Sequence, residues 1–278
     1  MIAVMARLRR TALVTGATRG IGRATAVALA RRGYDVAFTG RTRREGDAAL
    51  LPEAALMPEV AAASGSLEST ARAIEAEGRR AIPLVLDLLD ADRLATVADE
   101  AVDALGHVDI LLNNAIYVGP YADQRVLETP PDELAKRVFG NITAPLLFTR
   151  PILAHMLERE RGTIANMTSA AGYAKPTAPP GEGGWSLIYG VTKAGFHRIA
   201  HQLAVEYPML NILNLQPGQV LTERVAAAGD KLAFVARGAA PVEVIGTTCA
   251  RILAEADQFG SGVTVQVQDQ ARSWGLLP

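Results

Sequence analysis

Seven short runs of apolar, β-prone residues punctuate this chain, and segments of helical period fill most of the gaps between them. The runs are Thr11–Thr15, Asp35–Thr39, Ala81–Leu86, Val108–Leu112, Gly162–Met167, Leu210–Leu215 and Val263–Val267. Helical spacing marks Ile21–Arg32, Leu67–Glu77, Ala91–Leu105, Asp132–Glu160, Leu187–Glu206 and Pro241–Ala256. Strands separated by helices return across a face of the sheet, and right-handed crossovers then make them parallel. Helices on both faces require strands that are apolar throughout, which these nearly are. The pattern predicts an α/β fold: a doubly wound, seven-stranded parallel sheet with helices on both faces, in a single domain over 1–278.

Two segments break the alternation and read as insertions. Arg43–Ser66 is rich in Ala and has weak periodicity, while Tyr173–Ser186 carries Pro176, Pro179, Pro180, Gly181, Gly183 and Gly184 and must be a loop. Pro145 and Pro151 interrupt the Asp132–Glu160 stretch. An interior proline costs about 3 kcal/mol, so this stretch is expected as one kinked helix.

Composition narrows the function. A chain of 278 residues buries enough surface to need no staple. Its 28 basic and 29 acidic residues leave a net charge of -1, so no global field draws it to nucleic acid or an anionic membrane. The single cysteine, Cys249, excludes an internal disulfide and a Cys-based zinc cage, and reads as a small buried apolar residue. Nothing approaches the roughly 18 apolar residues of a membrane helix. Arg7, Arg9 and Arg10 follow the apolar start where a secretory signal would put them first. A cytoplasmic location is expected.

The turn after the first strand carries the first chemical signal. Thr15-Gly16-Ala17-Thr18-Arg19-Gly20-Ile21-Gly22 joins that strand to a helix. Glycines there let a phosphate approach the backbone, and the helix start offers free N–H groups and a positive dipole end. A dinucleotide site is therefore expected. The acidic residue that would grip a ribose 2′-hydroxyl after the second strand is missing; Gly40-Arg41-Thr42-Arg43-Arg44 stands there instead. Arg41, with Arg19 from the turn, suits a 2′-phosphate, which favours NADP over NAD. A solvated arginine cluster is the alternative.

Tyr189 and Lys193 are four residues apart at the start of a predicted helix, so phenol and ammonium share a face. A nearby cation favours phenolate. Lowering the phenol by about three pH units corresponds to roughly 4 kcal/mol and would suit it to proton transfer near neutrality.

With these motifs the chain resembles the short-chain dehydrogenase/reductase family from about Thr11 to Val267. The pieces come in the family's order: the turn Thr15–Gly22, Asp87-Leu88, Asn113-Asn114-Ala115, Asn141, Ser169-Ala170-Ala171-Gly172, Tyr189 with Lys193, then Pro217-Gly218 and Thr222. The resemblance implies a Rossmann-like fold and NADP-dependent interconversion of a carbonyl and a secondary alcohol. It implies Tyr189 as general acid/base, Ser169 as hydrogen-bond donor to the substrate oxygen, and Lys193 as the group that lowers the Tyr189 pKa and holds the nicotinamide ribose. Asn141 would place a relay water. Gly16, Thr18, Gly20, Ile21 and Gly22 would cradle the cofactor. Asp87 and Leu88 would meet its adenine, Asn114 and Ala115 its ribose, and Pro217, Gly218, Val220 and Thr222 its nicotinamide. A homo-oligomer is implied, tetramer or dimer, built on the Asn141 and Tyr189 helices.

Departures bear on the substrate side. Ile116 replaces the glycine that usually follows Asn-Asn-Ala. Ile116, Tyr117, Tyr173 and Trp185 suggest an apolar pocket for a small-molecule substrate. The loop before Tyr189 and the segment after Thr222 flank the reacting groups as a lid would, although Trp185 could equally pack on the scaffold. His197 and His201 are four apart, but no acidic partner follows, so no metal site is expected. Ser169 capping a turn, Asn141 bonding its own backbone and Asp87 capping a helix are the duller readings. An epimerase or dehydratase on the same fold stays open, as does a silent dinucleotide sensor, although the complete Asn141, Ser169, Tyr189, Lys193 set argues against the latter.

Overall fold

A computed structural model describes residues 9–50, 61, 65–236 and 238–278. Most of the expected Arg43–Ser66 insertion lies outside them. Strands β1 (Arg10–Val14), β2 (Tyr34–Gly40), β3 (Ala81–Val85), β4 (Ile110–Asn113), β5 (Thr163–Met167) and β6 (Asn211–Gln216) form one sheet with β9 (Val263–Gln266). Its order is β3-β2-β1-β4-β5-β6-β9, and every pair is parallel. The ends of the seven strands stand within two residues of where the apolar runs put them. A small separate ribbon pairs β7 (Val220–Leu221) with β8 (Ala240–Pro241).

Alternate residues of each strand face opposite sides of the sheet. Ala12 and Val14 therefore enter one core while Leu13 enters the other. Helices α1 (Gly20–Arg31), α2 (Leu67–Glu75) and, later in the chain, Val242–Ala254 cover the first face, burying Leu29, Ile74, Ile245 and Cys249 against Phe38. Helix α3 (Ala91–Leu105) covers the second with Leu94 and Val97, against Leu111 and Ile164. Each such side chain contributes about 1.5–3 kcal/mol by leaving water.

The Asp132–Glu160 stretch is continuous as expected, but its irregularity is not at the prolines: α4 (Pro131–Val138), a π turn (Phe139–Thr143) and α5 (Ala144–Glu158) follow one another without a break. Pro145 sits in the first turn of α5, where its missing N–H costs little. Pro151 is accommodated inside α5. The irregularity is the extra residue of the π turn, where the Ala144 N–H donates to the Phe139 carbonyl, and it contains Asn141. Helix α6 (Leu187–Glu206) follows the Pro/Gly loop, α7 (Glu223–Ala227) follows β7, and α8 (Ala233–Ala236) and α9 (Val242–Ala254) come next. The chain after β9 turns into α10 (Val267–Ser273), which the apolar pattern does not announce.

The chain starts at mid-sheet with β1, winds outward to β3 and then crosses to β4 on the other side of β1. The helix-bearing connections diverge at that switch point. A crevice opens there beyond the carboxyl ends of the strands, the usual place for a ligand in open α/β sheets.

Candidate active site

The turn after β1 is stapled to the turn after β4. The Thr15 hydroxyl accepts the N–H groups of Asn114 and Ala115 at 2.9 and 3.0 Å, and Asn114 Nδ2 donates to the carbonyls of Thr15 and Gly16 at 2.9 and 3.0 Å. Gly16 has φ +69°, and a Cβ on it would come within 2.8 Å of Ala115 Cα. Only glycine lets the two turns close so tightly. Asn114 thus spends its amide on shaping the glycine turn.

Gly16, Thr18, Arg19, Gly20 and Ile21 line a cavity here with Arg41, Asp87, Leu88, Asn114, Ala115 and Thr222. Of the expected cofactor residues, Gly22, Tyr189, Lys193, Pro217, Gly218 and Val220 do not line it. Gly22 lies behind the turn, where a Cβ would meet Asn114 Nδ2 and the Gly16 carbonyl, both at 2.4 Å. Gly218 has φ +72° and begins the bend to β7, in which Val220 is buried. Gln268 Nε2 holds that bend by donating to the Pro217 and Gln219 carbonyls at 3.1 and 2.7 Å.

Arg41 follows β2 into the cavity, with Nη1 3.5 Å from Asp87 Oδ2. Asp87 also accepts the Leu89 N–H at 2.9 Å; the residue at the N-cap of α3 is Asp90. Thr222 caps α7, its hydroxyl accepting the Val225 N–H at 3.3 Å. The neighbouring Glu223 was not anticipated. Its Oε2 accepts the Gly20 N–H at 3.0 Å, so a carboxylate of the chain itself occupies the anion-seeking start of α1.

The residues expected to handle protons gather at the ends of β5 and α6. Ser169 caps the turn Ala170–Gly172, its Oγ accepting the Ala171 N–H at 3.3 Å. Gly172 brings that turn down on α6, where a Cβ would approach the Lys193 carbonyl carbon to 2.7 Å. The Ser169 side chain hydrogen-bonds the Tyr189 phenol. Burial pushes the phenol pKa up, while the Ser169 bond and the Arg224 charge pull it down. The Lys193 Nζ donates to the Met167 carbonyl at 2.8 Å and lies over the Tyr189 ring, 6.0 Å from its centroid, and the Arg224 charge also acts on the phenol. Desolvation brings the Lys193 pKa down to about 8.

Asn141 turns its side chain to Tyr117: Oδ1 accepts the Tyr117 N–H at 2.7 Å and Nδ2 donates to its carbonyl at 3.0 Å. Tyr117 in turn donates its hydroxyl to Glu133 Oε2 at 3.2 Å. Glu133 Oε1 lies 3.4 Å from Arg137 Nε, both side chains being 4% exposed, and Arg137 also donates to the Pro120 carbonyl. A buried ion pair therefore holds Tyr117 and Pro120, the ends of a segment whose Tyr117, Val118 and Gly119 line the cavity beside Ile116. Ile116 is accommodated without a left-handed backbone; Gly119 supplies the positive φ of that segment, +61°.

Trp185 lies against the Tyr189 ring, centroids 4.8 Å apart, and is still 41% exposed. Tyr173, at the other end of the loop, is fastened to the sheet through Gln266 and the His197 ring. His197 sits between the hydroxyls of Thr168 and Thr264, at 3.1 and 3.3 Å.

Known proteins resemble this chain in sequence and fold. A sequence model of the short chain dehydrogenase family matches residues 10–57 and 49–233. An uncharacterized oxidoreductase of Mycobacterium tuberculosis is 29% identical over 96% of this chain and 94% of its own. A 3-oxoacyl-[acyl-carrier-protein] reductase of Synechocystis is 29% identical over 86% of this chain and 87% of its own. A solved structure described as a putative NAD(P) dependent gluconate 5-dehydrogenase from Beutenbergia cavernae, with NADP bound at low occupancy, superposes with a TM-score of 0.73 at 26% identity, covering 93% of this chain and 94% of that one. With the turn, the switch-point crevice and the Ser169–Tyr189 pair in place, the chain belongs to the short chain dehydrogenase family, NAD(P)-dependent oxidoreductases on a Rossmann-like sheet.

Proposed function

We propose that the protein reduces a carbonyl to a secondary alcohol with NADPH, and runs the reverse oxidation. The observation that carries this is the pairing of the Ser169 and Tyr189 side chains beside the switch-point crevice, with the buried Lys193 on the same helix. The dinucleotide supplies the hydride. The Ser169 hydroxyl would donate to the substrate oxygen as charge develops there, and Tyr189 would give it a proton. Lys193, near 8, can exchange a proton at physiological pH. A water path from Lys193 would use the Asn141 backbone carbonyl, because its side-chain amide is engaged by Tyr117.

The glycine turn and the start of α1 would take the diphosphate, which Glu223 must vacate by leaving the Gly20 N–H. Arg41 and Arg19 support a 2′-phosphate. A charge-assisted bond is worth about 1.5–3 kcal/mol, so Arg41→Ala should weaken NADPH about 10- to 100-fold and NADH less than about threefold. Fluorescence titration of both nucleotides reads this. Equal wild-type affinities would end the NADP assignment.

Ile116, Tyr117 and Val118 line the crevice and support a small-molecule substrate with an apolar body. Leu187, Val191 and Val205 are 57%, 50% and 77% exposed along α6, which supports a homo-oligomer, tetramer or dimer, pairing this helix with a copy of itself. No helix among the described residues is long and apolar enough to cross a membrane. A reduced, buried Cys249 supports the cytoplasm as the compartment.

A further inference from the structure

Arg224 stands half-buried on the crevice wall. It lies two residues past Thr222 on the five-residue helix α7, and lines the cavity with Thr222, Ile116 and Tyr117. Its charge acts on the Tyr189 phenol, and the other charges that bear on it, Arg19 and Arg137, are cations too. Arg137 is already compensated by Glu133 at 3.4 Å, and the adjacent Glu223 carboxylate is turned to the Gly20 N–H. Among the described residues, no acceptor takes a hydrogen bond from the Arg224 guanidinium and no carboxylate pairs with it. Burial and the like charges bring even its pKa down, to about 10.

A guanidinium partly withdrawn from water gains from an acceptor that replaces the hydration it loses. Its planar fork of five donors matches a carboxylate bidentately. We propose that Arg224 recognises a carboxylate carried by the substrate itself, so that the compounds reduced are oxo acids and the alcohols returned are hydroxy acids. This rests on Tyr189 marking the reacting carbonyl, as proposed above. The dinucleotide diphosphate is the other anion within the crevice, but its seat is the glycine turn and the start of α1. Arg224 is instead coupled to the phenol at which the substrate reacts.

The test compares pyruvate, acetoacetate and levulinate with their methyl esters. Binding is measured by calorimetry to protein saturated with oxidised dinucleotide, which cannot reduce either partner. At least one acid should bind tenfold or more tightly than its ester, a difference of about 1.4 kcal/mol. Arg224→Gln should lose that tenfold on the acid and change the ester less than threefold. Arg224→Lys, which keeps the charge without the fork, should fall between. Melting curves confirm that both variants fold. Esters that bind as tightly as all three acids, or an acid preference that survives Arg224→Gln, would overturn the proposal. So would a tenfold loss of dinucleotide affinity in Arg224→Gln with the acid-to-ester ratio unchanged, which would give the guanidinium to the diphosphate. Arg224-dependent acid binding without NADPH oxidation would sink carbonyl reduction and leave the carboxylate site standing. Oxidation of NADPH by esters and acids alike would do the reverse.

Discussion

Tyr189→Phe should lower kcat about 10³-fold with any carbonyl substrate, within the 10²–10⁴ that a positioned proton donor provides. The substitution removes one oxygen and keeps the ring that Trp185 covers at 4.8 Å, so packing survives. NADPH affinity should change less than about threefold. Burial raises the phenol pKa in the free protein, so Tyr189 is protonated at neutral pH and is ready as the acid in reduction. The Ser169 bond and the Arg224 charge oppose that burial and make the proton easier to give. Ser169→Ala should therefore impair kcat too, by removing both a bond to the substrate oxygen and a bond to the phenol. A Tyr189→Phe protein with near-normal kcat would show that the proton comes from elsewhere.

Glu133→Ala should be the most damaging change to stability near the site. Glu133 and Arg137 are both 4% exposed, and removing one member leaves the other as a buried charge without its counter-ion. Breaking such a pair costs about 3–5 kcal/mol, or a melting temperature lower by about 10 °C in a chain of this size. The double variant Glu133→Ala, Arg137→Met should recover much of the loss, because an apolar pair has no charge to desolvate. Thermal unfolding of the three proteins decides this. A fall of less than 2 °C in the single variant would mean that Arg137 finds compensation elsewhere. The same pair fixes Tyr117 on the crevice wall and Pro120 next to the wall, so the single variant should also raise KM.

The fold was legible because doubly covered strands must be apolar throughout, and few other chain segments have that reason to be. Helices α3 and α6 were legible to the residue for a similar cause: their periods are regular and uninterrupted. The π turn at Phe139–Thr143 was not, since an i→i−5 bond has no residue signature and two nearby prolines offered a louder explanation. Glu133 and Arg137, four apart, look like an ordinary solvated helix pair; only the tertiary structure shows that Tyr117 and Pro120 close over them. The ordered glycine, serine, tyrosine and lysine motifs pointed to the candidate site, but not to what some of these side chains touch. Asn114 and Asn141 prove to brace backbone, at the glycine turn and at Tyr117. Arg224 and Glu223 went unnoticed because the direction of a side chain on a five-residue helix is set by the bend before it and not by any periodicity.

The central claim is hydride transfer from NADPH to a carbonyl carbon at Tyr189. NADPH carrying deuterium at the nicotinamide 4-position, prepared in each of its two configurations, should be incubated with the protein and a panel of ketones, aldehydes and oxo acids. Mass spectra of the alcohols then report the atom directly. One configuration of the labelled cofactor should place a single deuterium on the carbinol carbon, the other none, and Tyr189→Phe should yield almost no alcohol. Alcohol formed without deuterium from either cofactor, or no alcohol from any member of the panel while NADPH binds, would contradict the assignment.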